Sequence, residues 1–256
     1  KFGIGSISKS LTAVLAMRLS EEGLLDIDAP IERYLPDFPH RDRGVTVRLI
    51  LSHLSGYEDK FDDDNFYNAK RFETTREVLE RFYNEKLAAN PGERTIYGTT
   101  TFTLVAAVIE KATGLTFTAA INKWLFEPTG LKNVVPNDRR LIIQNRTAFY
   151  IKEEERLVNG EFVDSSFKLA GAGFLSTSGD LAKFGSSIIK EGLLRGETLN
   201  ALFSPAKTIK GEITPFALGF RVTKLPDGGE VILQRGGGVG ISSVLYIDRK
   251  RNLSLA

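Results

Sequence analysis

Leu11, Val14, Leu15 and Leu19 recur at the spacing of one helix face, and Gly23 follows as a stop, so the pattern predicts a helix over 8–22. Ser6 stands at its N-terminal edge. A second short apolar helix is predicted over 46–54, ending before Gly56. From 57 to 72 the chain turns acidic and aromatic with weak periodicity, which predicts a loop or lid. Amphipathic spacing returns over 74–88, and Asn90-Pro91-Gly92 reads as a turn. The stretch 100–112 is a strongly apolar helix closed by Gly114, and another helix is predicted over 116–125. Strands are predicted over 147–151 and 157–162. An amphipathic helix over 179–189 follows the capping residues Ser176, Thr177 and Ser178. Four strand-like runs close the chain, at 216–223, 230–234, 241–248 and 252–256. Pro226-Asp227-Gly228-Gly229, Gly236-Gly237-Gly238 and Arg249-Lys250-Arg251 separate them, the layout of an antiparallel meander.

An antiparallel sheet flanked by helices, with a mainly helical insertion, is an α+β arrangement rather than alternating βαβ. The expected organisation is a single domain over 1–256, with a helical subdomain over roughly 46–140 and a sheet region over roughly 210–256. With 42% hydrophobic residues in 256, the chain can bury a substantial core. Its 34 basic and 32 acidic residues are well mixed, so no electrostatic footprint for nucleic acid stands out. No cysteine is present, which excludes disulfides, thiolate metal sites and cysteine nucleophiles. His40 and His53 are the only histidines and lack a metal-ligand spacing, so neither a metal nor another cofactor is expected. No apolar run approaches the roughly 20 residues that span a bilayer.

Chemistry enters with Ser6-Ile7-Ser8-Lys9. A serine and a lysine three residues apart at a helix start share a face. The lysine can lower the cost of deprotonating the hydroxyl or act as its base, and the helix N-terminus favours negative charge on the oxygen. The tetrapeptide alone is weak evidence, because a Ser-x-x-Lys match is expected about once in a chain of this size. Taken by itself, the tetrapeptide is better accounted for by a capped, solvated helix start.

The surroundings change that balance. Phe2-Gly3-Ile4-Gly5-Ser6-Ile7-Ser8-Lys9-Ser10-Leu11-Thr12 resembles the nucleophile segment of the serine β-lactamase and penicillin-binding-protein superfamily, in its class C-related branch. Gly23-Leu24-Leu25-Asp26 with Tyr34-Leu35-Pro36, the Ser52-His53-Leu54-Ser55-Gly56 stretch, and Ala170-Gly171-Ala172-Gly173-Phe174-Leu175-Ser176-Thr177 resemble further family segments, in the expected order. Tyr97-Gly98-Thr99 is similar to the second motif, Tyr-x-Asn/Ser/Thr. The resemblance covers nearly the whole chain. It implies catalytic roles for Ser6, Lys9 and Tyr97, and an oxyanion hole made by the backbone N–H groups of Ser6 and Gly237. A phenol near a lysine ammonium is expected to have a depressed pKa and to shuttle the nucleophile's proton. Thr99 is either a hydrogen-bonding group toward substrate or Lys9, or a helix N-cap. His53 belongs to a mainly structural motif and is expected to be a packed, hydrogen-bonded histidine.

The third motif departs from the family, which shows Lys-Thr-Gly, His-Thr-Gly or His-Ser-Gly on a strand lining the site. This chain has Gln234-Arg235-Gly236-Gly237, in a register set by Gly240-Ile241-Ser242-Ser243. Gln234, Arg235 and Gly236 are the expected substrate contacts. Arg235 either offers a cation to an acidic substrate or points to solvent. The three glycines serve either close approach of backbone to substrate or a flexible turn. The resembled fold also places strands and a helix before the nucleophile and a helix after the last strand, so a fragment of a longer protein is expected. Any leader lies outside it, and the compartment is open: periplasmic or extracellular if a bacterial parent carries one. The expected activity is hydrolysis of an amide or ester in a small-molecule or peptide substrate through an acyl-serine. The alternative, motivated by Gln234 and Arg235, is a catalytically impaired binding or scaffolding protein on the same fold. Oligomeric state is not legible.

Overall fold

A helix buried on nearly every side organises the molecule. The computed structural model describes residues 1–38, 44–59, 69–80, 86–190, 192–225 and 228–256. In it, helix α1 (Ile7–Glu21) lies between the main sheet and the helical part. Leu11, Val14, Leu15 and Leu19 are inaccessible to solvent, as predicted, but so are Ser8, Lys9, Ser10 and Thr12. A helix that shows no polar face to water is a central one. Its buried hydroxyls are satisfied by tying α1 to the segments around it. Ser8 Oγ donates to Gly5 O (2.8 Å), Ser10 Oγ to Gly219 O (2.8 Å) and Thr12 Oγ1 to Ala170 O (2.7 Å).

The helical part holds α2 (Val47–Leu51), α3 (Thr75–Leu79) and α4 (Phe102–Thr113). Thr46 and Thr74 cap α2 and α3 by accepting from Leu49 N and Glu77 N. Gly114, at φ 69°, ends α4 as its sequence position predicts. The helix predicted over 116–125 is longer and less regular. It starts as α5 (Phe117–Ile121), widens into a π-helical turn at Asn122–Phe126, and ends as α6 (Glu127–Thr129) before Gly130. Helices α7 (Leu169–Ala172), α8 (Ser178–Ile189) and α9 (Gly196–Phe203) follow. Thr177 caps α8 as predicted, while α9 was not anticipated.

Among the described residues, three antiparallel sheets complete the α+β fold. Strands β1 (Phe2–Gly3), β2 (Val135–Pro136) and β5 (Phe174–Ser176) make one, in the order β1-β5-β2. Strands of two or three residues are too short for alternation to reveal. A hairpin joins β3 (Tyr150–Glu153) to β4 (Arg156–Asn159), displaced from the predicted 147–151 and 157–162. The predicted meander is the main sheet, β6 (Arg221–Lys224), β7 (Glu230–Gly238), β8 (Ile241–Asp248) and β9 (Leu253–Leu255), each beside its sequence neighbour.

Two boundaries of that meander need correction. Residues 216–220 are a buried bend rather than strand: Gly219, at φ 73°, nests against α1, where a Cβ would stand 2.6 Å from Ala13 Cβ and 2.8 Å from Lys9 O. Gly236-Gly237-Gly238 is strand rather than turn, and Val239-Gly240 makes the reversal. Gly236 is required there because a Cβ would lie 1.9 Å from Ile4 O. His40, the turn residues Pro226 and Asp227, the middle of the predicted 57–72 loop and part of the predicted 74–88 helix lie outside the described residues. Among the described residues no single helix is long and apolar enough to cross a membrane.

Candidate active site

Gly5, at φ 48°, turns the chain from β1 into α1, and a Cβ there would stand 2.7 Å from Gly237 N. The glycine therefore lets the start of α1 sit directly against β7. Ser6 occupies the N-cap position but makes no capping bond with its side chain. Its Oγ instead accepts from Lys9 Nζ (3.0 Å) and from the Tyr97 hydroxyl (2.8 Å). Lys9 is inaccessible to solvent, and its Nζ also donates to Thr99 Oγ1 (2.9 Å) and Gly171 O (3.0 Å). Each of the three ammonium N–H directions thus has its acceptor. This is not a capped, solvated helix start.

Burial pushes Lys9 down to about 7; the Asp59 carboxylate opposes that shift and the Lys168 ammonium adds to it. The expected depression of the Tyr97 phenol is corrected by the structure. Desolvation raises Tyr97 above the ordinary tyrosine value, outweighing the hydrogen bond to Ser6, the charge of Arg221 and the Gln234 amide. Lys9 Nζ lies over the Tyr97 ring, 4.8 Å from its centroid. Tyr97 keeps 41% of its surface exposed, so the cluster opens to solvent on that side.

Tyr97-Gly98-Thr99 runs into the start of α4, and Asp59 holds it there. The Asp59 carboxylate accepts from the backbone N–H groups of Thr99, Thr100 (3.0 Å) and Thr101 (3.3 Å), and from Thr100 Oγ1 (2.6 Å). An anion at a helix N-terminus receives the unpaired N–H groups and the favourable end of the dipole. Sequence reasoning missed Asp59 because it stands in a stretch without periodicity, some 40 residues from its partners. Its only sequence sign is an acid just after the Ser52 to Gly56 motif. His53 is packed as expected: Nδ1 accepts from Gly98 N (3.3 Å), and its ring lies 4.4 Å from that of Tyr97 and 4.7 Å from that of Phe216. Burial holds its imidazole well below the ordinary histidine value, so it is neutral.

On β7, Gln234 is 3% exposed and its Nε2 donates to Ser6 O (3.0 Å), so the amide is engaged with the backbone beneath the serine. Arg235, next along the strand and on its other face, is exposed and has no hydrogen bond or ion pair to a described residue. Gly236 faces inward against Ile4, while Gly237 is exposed with open space where a Cβ would be. The two-residue turn makes Gly238 and Ile241 a hydrogen-bonded pair, and such pairs alternate. The N–H of Gly237 consequently points away from β8, toward the edge that β6 leaves free beyond Leu233. Ser6, Lys9, Tyr97, Thr99, Gln234, Gly236 and Gly237 therefore converge, and Arg235 stands apart. Among the described residues no group of three or more metal-ligating side chains occurs.

Comparison with known proteins accords with this geometry. A family model described as Beta-lactamase matches residues 1–256. The mitochondrial serine beta-lactamase-like protein LACTB of Homo sapiens is 30% identical, over 95% of this chain and 62% of that protein. Penicillin-binding protein 4* of Bacillus subtilis is 27% identical, over 98% of this chain and 59% of that one. The chain thus spans about three-fifths of the length of these relatives. Among solved structures, a D-stereospecific amidohydrolase from Streptomyces sp. superposes with a TM-score of 0.85 at 26% identity, covering 99% of this chain and 80% of the other. An octameric penicillin-binding protein homologue from Pyrococcus abyssi gives 0.82 at 26% identity, covering 99% and 60%. With the match running from the first residue to the last, and the serine, lysine and tyrosine motifs meeting at one point in space, the chain belongs to the Beta-lactamase family of serine hydrolases.

Proposed function

We propose that this chain is an acyl-serine hydrolase acting on an amide or ester carbonyl, with Ser6 as nucleophile and Lys9 as its base. The observation that carries the reading is the trio of contacts at Lys9 Nζ. A neutral amine has two N–H donors and one lone pair. With the donors held by Thr99 Oγ1 and Gly171 O, the lone pair is left directed at Ser6 Oγ, where it takes the hydroxyl proton as the oxygen attacks. The low proton affinity of Lys9, about 7, leaves a large neutral fraction at physiological pH. Tyr97, whose phenol resists ionisation, keeps its proton and is the donor to the leaving atom. The resulting phenolate recovers a proton from the Lys9 ammonium, so the acyl-enzyme forms with the site's protons restored, and water then releases the acyl group. The N–H groups of Ser6 and Gly237 receive the developing oxyanion.

The shared chemistry is acyl transfer, and we take the substrate to be a peptide, small amide, β-lactam or ester; the likeness to proteins named as a penicillin-binding protein and a D-stereospecific amidohydrolase supports the amide side of that reading. Incubation with a fluorophosphonate and with a labelled penicillin, followed by intact mass measurement, tests the assignment. An adduct is expected in the parent protein and absent in Ser6→Ala. Absence of any adduct across several probes, with the fold verified by circular dichroism, overturns it and leaves a binding role.

A further inference from the structure

Arg235, the cation that the sequence offers to a substrate, stands outside the site, but another arginine reaches the same strand from a different element. Arg139 follows β2, and its guanidinium carbon lies 4.5 Å from the centre of the Phe162 ring and 6.0 Å from that of Phe149. Both rings flank the base of the β3–β4 hairpin, where Gly160 N donates to Phe149 O (2.7 Å). That base packs on the turn between β7 and β8: a Cβ at Gly160 would stand 2.8 Å from Val239, and one at Gly240 2.7 Å from Tyr150 N. The hairpin thereby brings Arg139 to the end of β7 that holds Gly237. The guanidinium is stacked and partly buried, and it has no hydrogen bond or ion pair to a described residue. Asp138, the neighbouring acid, is committed to Arg71 (3.1 Å) and Arg140 (3.3 Å).

Arg139 lines a cavity of about 30 Å³ together with Asn137, Ser165, Gly237 and Gly238, a space that suits the oxygens of a carboxylate. Asn137 is 8% exposed, its amide makes no hydrogen bond to a described residue, and its Oδ1 is buried without a partner. The Ser165 hydroxyl, in a residue 6% exposed, has none either. Buried polar groups are as a rule paired, so an amide with neither end engaged calls for a partner from outside the chain. Nothing in the protein fixes which end it presents, and it can turn its NH2 to an anion. The cavity wall takes in Gly237, Gly238 and Val239 but neither Gln234 nor Tyr97. With the leaving atom at Tyr97, a group lying past Gly237 belongs to the acyl part of the substrate.

We propose that this cavity is an acyl-side subsite for a carboxylate, with Arg139 as its specificity-determining cation and Asn137 and Ser165 as further hydrogen-bond donors. The substrate is then an ester or amide whose acyl part carries a carboxylate. Two other charged side chains line the cavity: Lys168 adds positive charge, and Glu161, at the exposed rim, makes no ion pair with Arg139. The proposal rests on the proposed function in taking Gly237 N–H as an oxyanion donor and Tyr97 as the donor to the leaving atom.

The test compares para-nitrophenyl esters of adipic, hexanoic and aminohexanoic acid, which end in a carboxylate, a methyl and an ammonium group, with spontaneous hydrolysis subtracted. The parent protein is expected to prefer adipate over hexanoate in kcat/KM by about tenfold or more. That ratio should fall toward one in Arg139→Met, be largely kept in Arg139→Lys, and fall by a smaller factor in Asn137→Leu. Arg139→Glu should turn the preference to aminohexanoate. A parent without preference for adipate overturns the proposal. So does a preference that survives in folded Arg139→Met, and its loss in Lys168→Met would then assign it to the other cation; Arg139→Gln takes the place of Arg139→Met if that variant fails to fold. Binding of adipic monoamide and hexanamide to Ser6→Ala, followed by NMR titration, reads the subsite without chemistry. If no ester is turned over while the monoamide binds tenfold tighter than hexanamide, the nucleophile reading fails and the subsite stands. Equal turnover of the three esters with equal binding of the two amides overturns the subsite alone.

Discussion

At the scale of single residues, Lys9 has two measurable consequences. Removing the base or the phenolic donor, as in Lys9→Ala or Tyr97→Phe, is expected to slow acylation by about 10²–10⁴-fold with the far-ultraviolet circular dichroism unchanged. In the parent protein the acylation rate should rise with pH through a midpoint near 7, because only the neutral amine accepts the Ser6 proton. A profile flat from pH 5 to 9 would remove Lys9 from the role of base. The same group links stability to pH. Its proton affinity falls from the ordinary lysine value of 10.5 to about 7 in the folded protein, so between those limits the unfolded chain binds a proton that the folded one does not. Stability of the parent relative to Lys9→Met should therefore fall as pH drops from 10.5 toward 7, by at most about 1.4 kcal/mol per pH unit, and level off below. Urea unfolding of both proteins across that range checks the sign. Ser6, Lys9, Tyr97 and Thr99 were legible in the sequence because each stands within a short motif. Asp59 was not, since the backbone it holds lies about 40 residues away and no local pattern connects the two.

At the scale of elements, hydrophobic period identified the long helices and the longer strands, and it failed where another element dictated the path. Gly219 bends a run of Phe and Leu away from the sheet because α1 fills the space. The three glycines of β7 look like a turn, yet they pair in register with β8, and the Ile4–Gly5 link between β1 and α1 lies directly against Gly236 and Gly237. Gly236→Ala puts a methyl against Ile4 O and is expected to destabilise the protein by about 1–3 kcal/mol in urea unfolding. It should also slow acylation, since Ile4 leads directly into Gly5 and Ser6. By contrast Thr177→Ala removes only the cap that accepts from Asp180 N (3.1 Å), costing about 1 kcal/mol with acylation intact.

At the scale of the whole molecule, α1 is shared by the helical part and the sheet, and its apolar side chains are inaccessible to solvent. The two parts are therefore expected to unfold together. The single tryptophan, Trp124, sits in the helical part, so its fluorescence and the far-ultraviolet circular dichroism should give coincident urea transitions. Leu15→Ala should shift both by about 2–5 kcal/mol; separated transitions would show that the parts are independent. The sequence by itself determined the α+β class, the helix that carries Ser6 and Lys9, and the presence of the second motif, because period and short motifs are local properties of the chain. Only the tertiary structure decided that Lys9 is buried among three acceptors and Tyr97 held above its ordinary pKa. It alone turned Gln234 beneath the serine, left Arg235 outside, and set Asp59 against the start of α4. Those outcomes depend on desolvation and on long-range packing, and neither is encoded at any one position of the chain.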